Sequence, residues 1–130
     1  MGQPAAKQGD RVTATDTHII MVPSPGGAVP TPTPHPFNGI LSQNLSPNVN
    51  VEGRPAATVG SIALNTPPHV PQGGPFQRPP SNQGRIQTGS ATVFINGRAA
   101  ARNGDTAMTC NDPADTPVGT VVATGTVSFG

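Results

Sequence analysis

The stretch DRVTATDTHIIMV, residues 10–22, is the longest run in the chain free of both glycine and proline. Seven of its side chains are β-branched: Val12, Thr13, Thr15, Thr17, Ile19, Ile20 and Val22. Branched side chains lose rotamer freedom in a helix and fit a pleated surface, so even the best helix candidate reads as strand. Elsewhere glycine (16) and proline (17) interrupt the chain at about a quarter of its 130 positions. That spacing excludes a helical bundle and predicts an all-β fold of short strands with almost no helix. The most favourable place for a single helical turn is residues 105–112, the second-longest run lacking both residues.

The length corresponds to one domain, residues 1–130. Tryptophan and tyrosine are absent and phenylalanine occurs four times. Few aromatics and much proline suit a disordered chain, but the net charge is only +1 and there are no charge runs to hold the chain open. No segment has glycine at every third place, which excludes collagen. Seven scattered Lys and Arg form no basic stripe, and no Trp or Tyr offers a stacking platform, so nucleic acid is not an expected partner. The opening MGQPAAKQGD lacks the apolar core of a signal peptide, and the aliphatic run at 19–22 is far too short for a bilayer. The expectation is a chain that starts as a soluble cytoplasmic protein. A single cysteine, Cys110, allows no internal disulfide.

One short pattern occurs three times. Residues 2–10 read GQPAAKQGD, 53–61 read GRPAATVGS and 97–105 read GRAAARNGD, giving the common form G-x-[PA]-A-A-x-x-G-[DS]. Glycines at the first and eighth places suit turns of positive φ, and the alanine pair suits a close backbone crossing. Strand-like runs at 48–52 and 91–96 lead into the second and third copies. The repeats predict three β-units of unequal length, related by an approximate threefold axis. His18 lies nine positions after Gly9 and His69 nine after Gly60, and equivalent offsets suggest equivalent places in space. Between the repeats, proline-rich segments at 23–37 and 66–80 read as stiff, irregular loops that present His35 and His69 from restrained backbone. As free linkers the same segments could serve as polyproline ligands.

His18, His35, His69 and Cys110 are the only histidines and the only cysteine. Three imidazoles and a thiolate are a tetrahedral zinc set. Their gaps of 17, 34 and 41 residues match no compact finger motif. A core so poor in large side chains, however, is the kind that needs a metal staple, and four protein ligands would close the site to water. The rival reading makes Cys110 a nucleophile, with a histidine as base and Asp112 or Asp115 orienting it. No nucleophile elbow, phosphate-cradling loop or HExxH helix accompanies it, so no enzymatic activity is expected.

The segments PAAK at 4–7, PAAT at 55–58 and AAAR at 99–102 resemble the tetrapeptide of the PAAR-repeat family. QGDRV at 8–12, PSPGG at 23–27, TPHPF at 33–37 and RNGDTAMTCND at 102–112 resemble its PAAR-like branch. Lys7 and Thr58 stand where the tetrapeptide has arginine, and Ala99 where it has proline. The resemblance implies a small tapered β-cone and one structural zinc ion near its apex, held by His18, His35, His69 and Cys110. It also implies a structural role as the tip that sharpens the spike of a contractile injection apparatus, such as type VI secretion. The implied partner is a homotrimeric spike of the valine-glycine repeat type or a phage-like equivalent, with one cap per trimer. The tip would touch the target membrane transiently and leave the cell on firing. The alternative is a zinc-stabilised adaptor that docks a separate effector onto the spike.

Overall fold

The structure, a computed structural model, describes residues 2–130. Among these residues there is no helix. The strands in chain order are β1 (Gln3–Pro4), β2 (Arg11–Val22), β3 (Val29–Gln43), β4 (Asn50–Val51), β5 (Arg54–Pro55) and β6 (Ile62–Asn65). They continue with β7 (Gln83–Ile86), β8 (Phe94–Ile95), β9 (Arg98–Ala99), β10 (Thr106–Thr109), β11 (Thr116–Val122) and β12 (Ser128–Phe129). Three antiparallel hairpins, β2–β3, β6–β7 and β10–β11, join edge to edge into a closed six-stranded barrel. Three two-stranded ribbons, β1–β12, β4–β5 and β8–β9, lie outside it. The fold is all-β and consistent with a small β-cone.

The β-branched stretch forms β2, and along it Val12, Asp16, His18 and Ile20 turn inward while Thr13, Thr15 and Thr17 face out. Its partner β3 corrects an expectation. Residues 23–37 were expected to be irregular, yet from Val29 onward they pair with β2 residue by residue, Val22 opposite Val29 and Ala14 opposite Phe37. Proline spacing permits this. Pro30, Pro32, Pro34 and Pro36 occupy alternate positions, and Asn38, in the same phase, sends its N–H away from β2 to Asn65 Oδ1 at 2.9 Å. The donor that each proline lacks would have pointed the same way, beyond the end of β6, where no strand needs it.

Residues 105–112 also depart from expectation. Instead of a helical turn, residues 106–109 are the strand β10, because β7 and β11 flank it and take its backbone groups on both sides. The segment 66–80 is irregular as predicted. It is tied to the far end of β2 by Met21 N–H to Pro75 O and Gln77 N–H to Ile19 O, both at 2.8 Å.

The three sequence repeats meet in a closed ring of hydrogen bonds. Ala6 N–H donates to Ala101 O, Ala101 N–H to Ala57 O and Ala57 N–H to Ala6 O, each at 3.0 Å. All three alanines are fully buried, so the small side chain is what lets the three backbones converge. Each copy then makes the same turn. Asp10 N–H reaches Lys7 O at 3.1 Å, Ser61 N–H reaches Thr58 O at 2.9 Å and Asp105 N–H reaches Arg102 O at 3.1 Å. Gly9, Gly60 and Gly104 sit inside these turns at φ of 91°, 97° and 89°, which the missing side chain allows.

The last motif position explains its Asp or Ser. Asp10, Ser61 and Asp105 accept the backbone N–H of Lys7, Thr58 and Arg102 at 3.0, 3.0 and 2.7 Å. The departures at the last tetrapeptide position keep this match: Lys7, like Arg102 in the third copy, ion-pairs with its aspartate, while uncharged Thr58 stands over Ser61. The equivalence fades along the hairpins, whose strands run 12 and 15, 4 and 4, then 4 and 7 residues.

The barrel core is made by Val12, Phe37, Leu41, Ala63, Ile86, Ala107 and Val121, with Ala6, Ala57 and Ala101 closing one end. A second cluster of Ala5, Val51, Ala56, Ile95 and Ala100 lies under the ribbons.

Candidate metal centre

Period-two alternation along β2 places Asp16 and His18 on its inner face. His35 faces the same interior from β3, where it is the register partner of Asp16. His69 enters from the 66–80 segment, and Cys110 follows directly after β10. All five are buried, Asp16 and His18 almost completely. The three imidazole rings touch one another, with centroids 5.0 Å (His18 and His69), 5.4 Å (His35 and His69) and 5.6 Å (His18 and His35) apart. Phe76 packs against His18 and His35, and Phe37 against His69. The four residues singled out from the sequence thus come together from three hairpins.

Measured by ligand atoms, the tightest group is Asp16, His18, His69 and Cys110, whose donor atoms all lie within 4.8 Å of one another. His35 is not in that group, and Asp16 is a member that the sequence reading missed. The signal was present: Asp16 stands two residues before His18 on a strand, so one inward face carries both.

The residues around the cluster orient it. Asp112 Oδ2 lies 3.6 Å from His18 Nδ1 and accepts the Ile19 N–H at 2.8 Å. The other oxygen of Asp112 is held by Arg78 at 3.0 Å. Asn111 Oδ1 accepts the Thr17 N–H at 2.6 Å, fastening the chain after Cys110 to β2. His35 Nδ1 faces Thr33 O at 2.9 Å, so that nitrogen carries the hydrogen and Nε2 keeps its lone pair. Asn65 is committed in the other sense. Its Oδ1 takes the Asn38 N–H, which turns its amide nitrogen to His69 Nδ1 at 3.2 Å and leaves the His69 hydrogen on Nε2, 2.9 Å from Asp16 Oδ2.

The cluster fits a metal ion. Both nitrogens of His18 and Nε2 of His35 are buried and have no hydrogen-bond partner, a cost that coordination of a cation relieves. Burial pushes the His18 pKa below the ordinary histidine value; Asp112 and Asp16 oppose that shift, while His69 and His35 add to it. A neutral ring is the form that ligates. His18 and His35 offer free lone pairs as they stand, whereas His69 must move its Nε2 hydrogen before that nitrogen can ligate.

Burial, reinforced by Asp16, pushes the Cys110 thiol up to about 11. That is the opposite of an activated nucleophile, whose thiolate is favoured by nearby positive charge. Metal-stripped protein at pH 8 should therefore react with iodoacetamide roughly a hundredfold more slowly than a free cysteine, as the smaller thiolate fraction requires. Labelling at the free-thiol rate would contradict this environment.

A helix-free barrel, closed at one end by three interlocked turn repeats and holding a buried His, Cys and Asp cluster, defines a small β-cone protein able to bind a metal ion. The PAAR motif family model matches residues 21–113 and 76–129, and the chain belongs to that family. No curated protein matches the chain.

Proposed function

We propose that this protein is the structural tip of a contractile injection apparatus of the type VI kind, capping a homotrimeric spike with one chain per trimer. The observation that carries this reading is the closed ring of repeats. Each copy is joined to one two-stranded ribbon. Val127, Val49 and Val93, each the residue before one ribbon strand, occupy matching places, their carbonyls accepting N–H groups of Ala5, Ala56 and Ala100 at 2.8, 3.0 and 3.0 Å. One chain thereby offers three similar edges to three identical subunits. Phe94 on one ribbon and Val49 and Val127 directly beside the other two are exposed, which suits a surface that is covered in an assembly.

In this reading the metal is zinc, drawn from His18, His35, His69 and Cys110 with Asp16 beside them. Its work is mechanical: it joins three hairpins where the core is thinnest, so that the tip resists buckling as it crosses a target membrane. The protein performs no chemical step. It is made in the cytoplasm, assembled on the spike and carried out of the cell on firing, with any effector a separate chain.

Native mass spectrometry of a complex co-purified with its spike tests the proposal. One chain of this protein per three spike chains is the expected result. Three per three, or an effector as the sole partner, would reject the cap; the latter outcome favours the adaptor.

A further inference from the structure

Asp16 is fully buried, and among the described residues no lysine or arginine pairs with it. Each of its neighbours donates to it. Thr109 Oγ1 and Asn111 Nδ2 approach Oδ1 at 2.5 and 3.5 Å, and His69 Nε2 and Cys110 Sγ approach Oδ2 at 2.9 and 3.4 Å. Asn111 Nδ2 and His69 Nε2 can only donate, one to each oxygen, and the Thr109 hydroxyl and Cys110 thiol are placed to donate as well, so both oxygens stand as acceptors, which is the bonding of a carboxylate anion. His69 does not neutralise it: the Asn65 amide nitrogen facing Nδ1 leaves that ring room for a single hydrogen. A buried anion without a cation is strongly unfavourable.

We infer that Asp16 is the second anion of the metal centre, the charge that together with the Cys110 thiolate neutralises a bound dication. The inference rests on the metal reading above and adds a residue and a charge rule to it. A 2+ ion with one thiolate and neutral imidazoles leaves a buried charge of +1. Asp16 brings the sum to zero. The centre is thereby tuned to a divalent ion over a monovalent one of similar ligand preference, such as Cu(I), for which the same set sums to −1.

Chelator competition on the full chain, with Zn(II) alone and Cu(I) alone as probes, tests this. In Asp16→Asn the Zn(II) affinity should fall at least about tenfold, as loss of an outer carboxylate does. The Cu(I) affinity should hold within about threefold, because the sum for that ion becomes neutral. Equal loss of both metals would mark Asp16 as merely structural, and no change in Zn(II) affinity would overturn its role; either outcome sinks the inference. Asp16→Ser repeats the test with a smaller side chain should the asparagine variant not fold. The wild-type protein supplies a reading that needs no variant: Zn(II) uptake should perturb a carboxylate stretch in the infrared difference spectrum, and a spectrum without that band overturns the inference. If the wild type binds neither ion, the metal reading falls with it; if it binds zinc and the variants match it, only the assignment of Asp16 fails.

Discussion

Replacing Cys110 by serine will lower the unfolding free energy of the zinc-loaded protein by several kcal/mol, read from denaturant midpoints with zinc present. A metal at the centre would join three hairpins around a core of mostly small side chains. Phe37 is the one aromatic side chain in the barrel core, and several core positions are alanine. The distal half of β2–β3, the 66–80 segment and the chain after β10 converge on the cluster. Three imidazoles and Asp16 remain in the variant, so the loss should stay below the roughly 10–16 kcal/mol apparent binding energy of structural zinc in peptides. Equal midpoints for the two proteins in zinc would dismiss the centre as a staple.

The pH dependence of the same measurement has a definite sign. Folding holds the His18 pKa below its unfolded value, so the stability tied to neutral His18 is present above about pH 6.5 and is lost as pH falls through the folded pKa. The Cys110 thiol runs the other way. Its folded pKa is raised, to about 11, so its contribution is full below the unfolded value and disappears as pH rises through 11. Metal-free protein should therefore be most stable between these limits, and zinc should be released in acid as the ligands take up protons.

Gly119→Ala should cost about 1–3 kcal/mol or more, the usual range for overpacking a tight core, and the neutral Gly26→Ala serves as its control. A Cβ on Gly119 would stand 2.8 Å from Thr109 Cγ2, 2.9 Å from Ala107 O and 3.1 Å from Val12 Cγ1. Nothing lies within 4 Å of the same atom on Gly26. Two further barrel glycines, Gly39 and Gly84, press on Phe37, where an added Cβ would meet the ring at 2.6 and 3.2 Å. Each of the three hairpins thus contributes one glycine to a barrel too narrow for another side chain. Matching midpoints for Gly119→Ala and Gly26→Ala would show that the interior can yield.

Much of this was written in the local pattern of residues. Glycine and proline spacing excluded a helical bundle, the β-branched side chains of residues 10–22 specified a strand, and the Gly-x-[PA]-Ala-Ala repeats pointed to three matching turns. Each of these depends on neighbours a few residues away, so it can be read along the chain. The histidines and cysteine on offer were legible too, since the chain contains no others, but that His35 lies outside the tightest group of ligand atoms was not.

What the chain alone did not decide depends on partners far away in sequence. Residues 29–37 became strand because alternate prolines all turn the side without a donor away from β2, a match of register that exists only once β2 lies alongside. Residues 106–109 became strand because β7 and β11 take their hydrogen bonds from both sides. Asp16 joined the buried cluster because His69 and Cys110, 53 and 94 residues further on, are folded onto its Oδ2. Local propensity chose the kinds of element, while register and burial, which only the closed barrel supplies, chose which polar atoms meet in its interior.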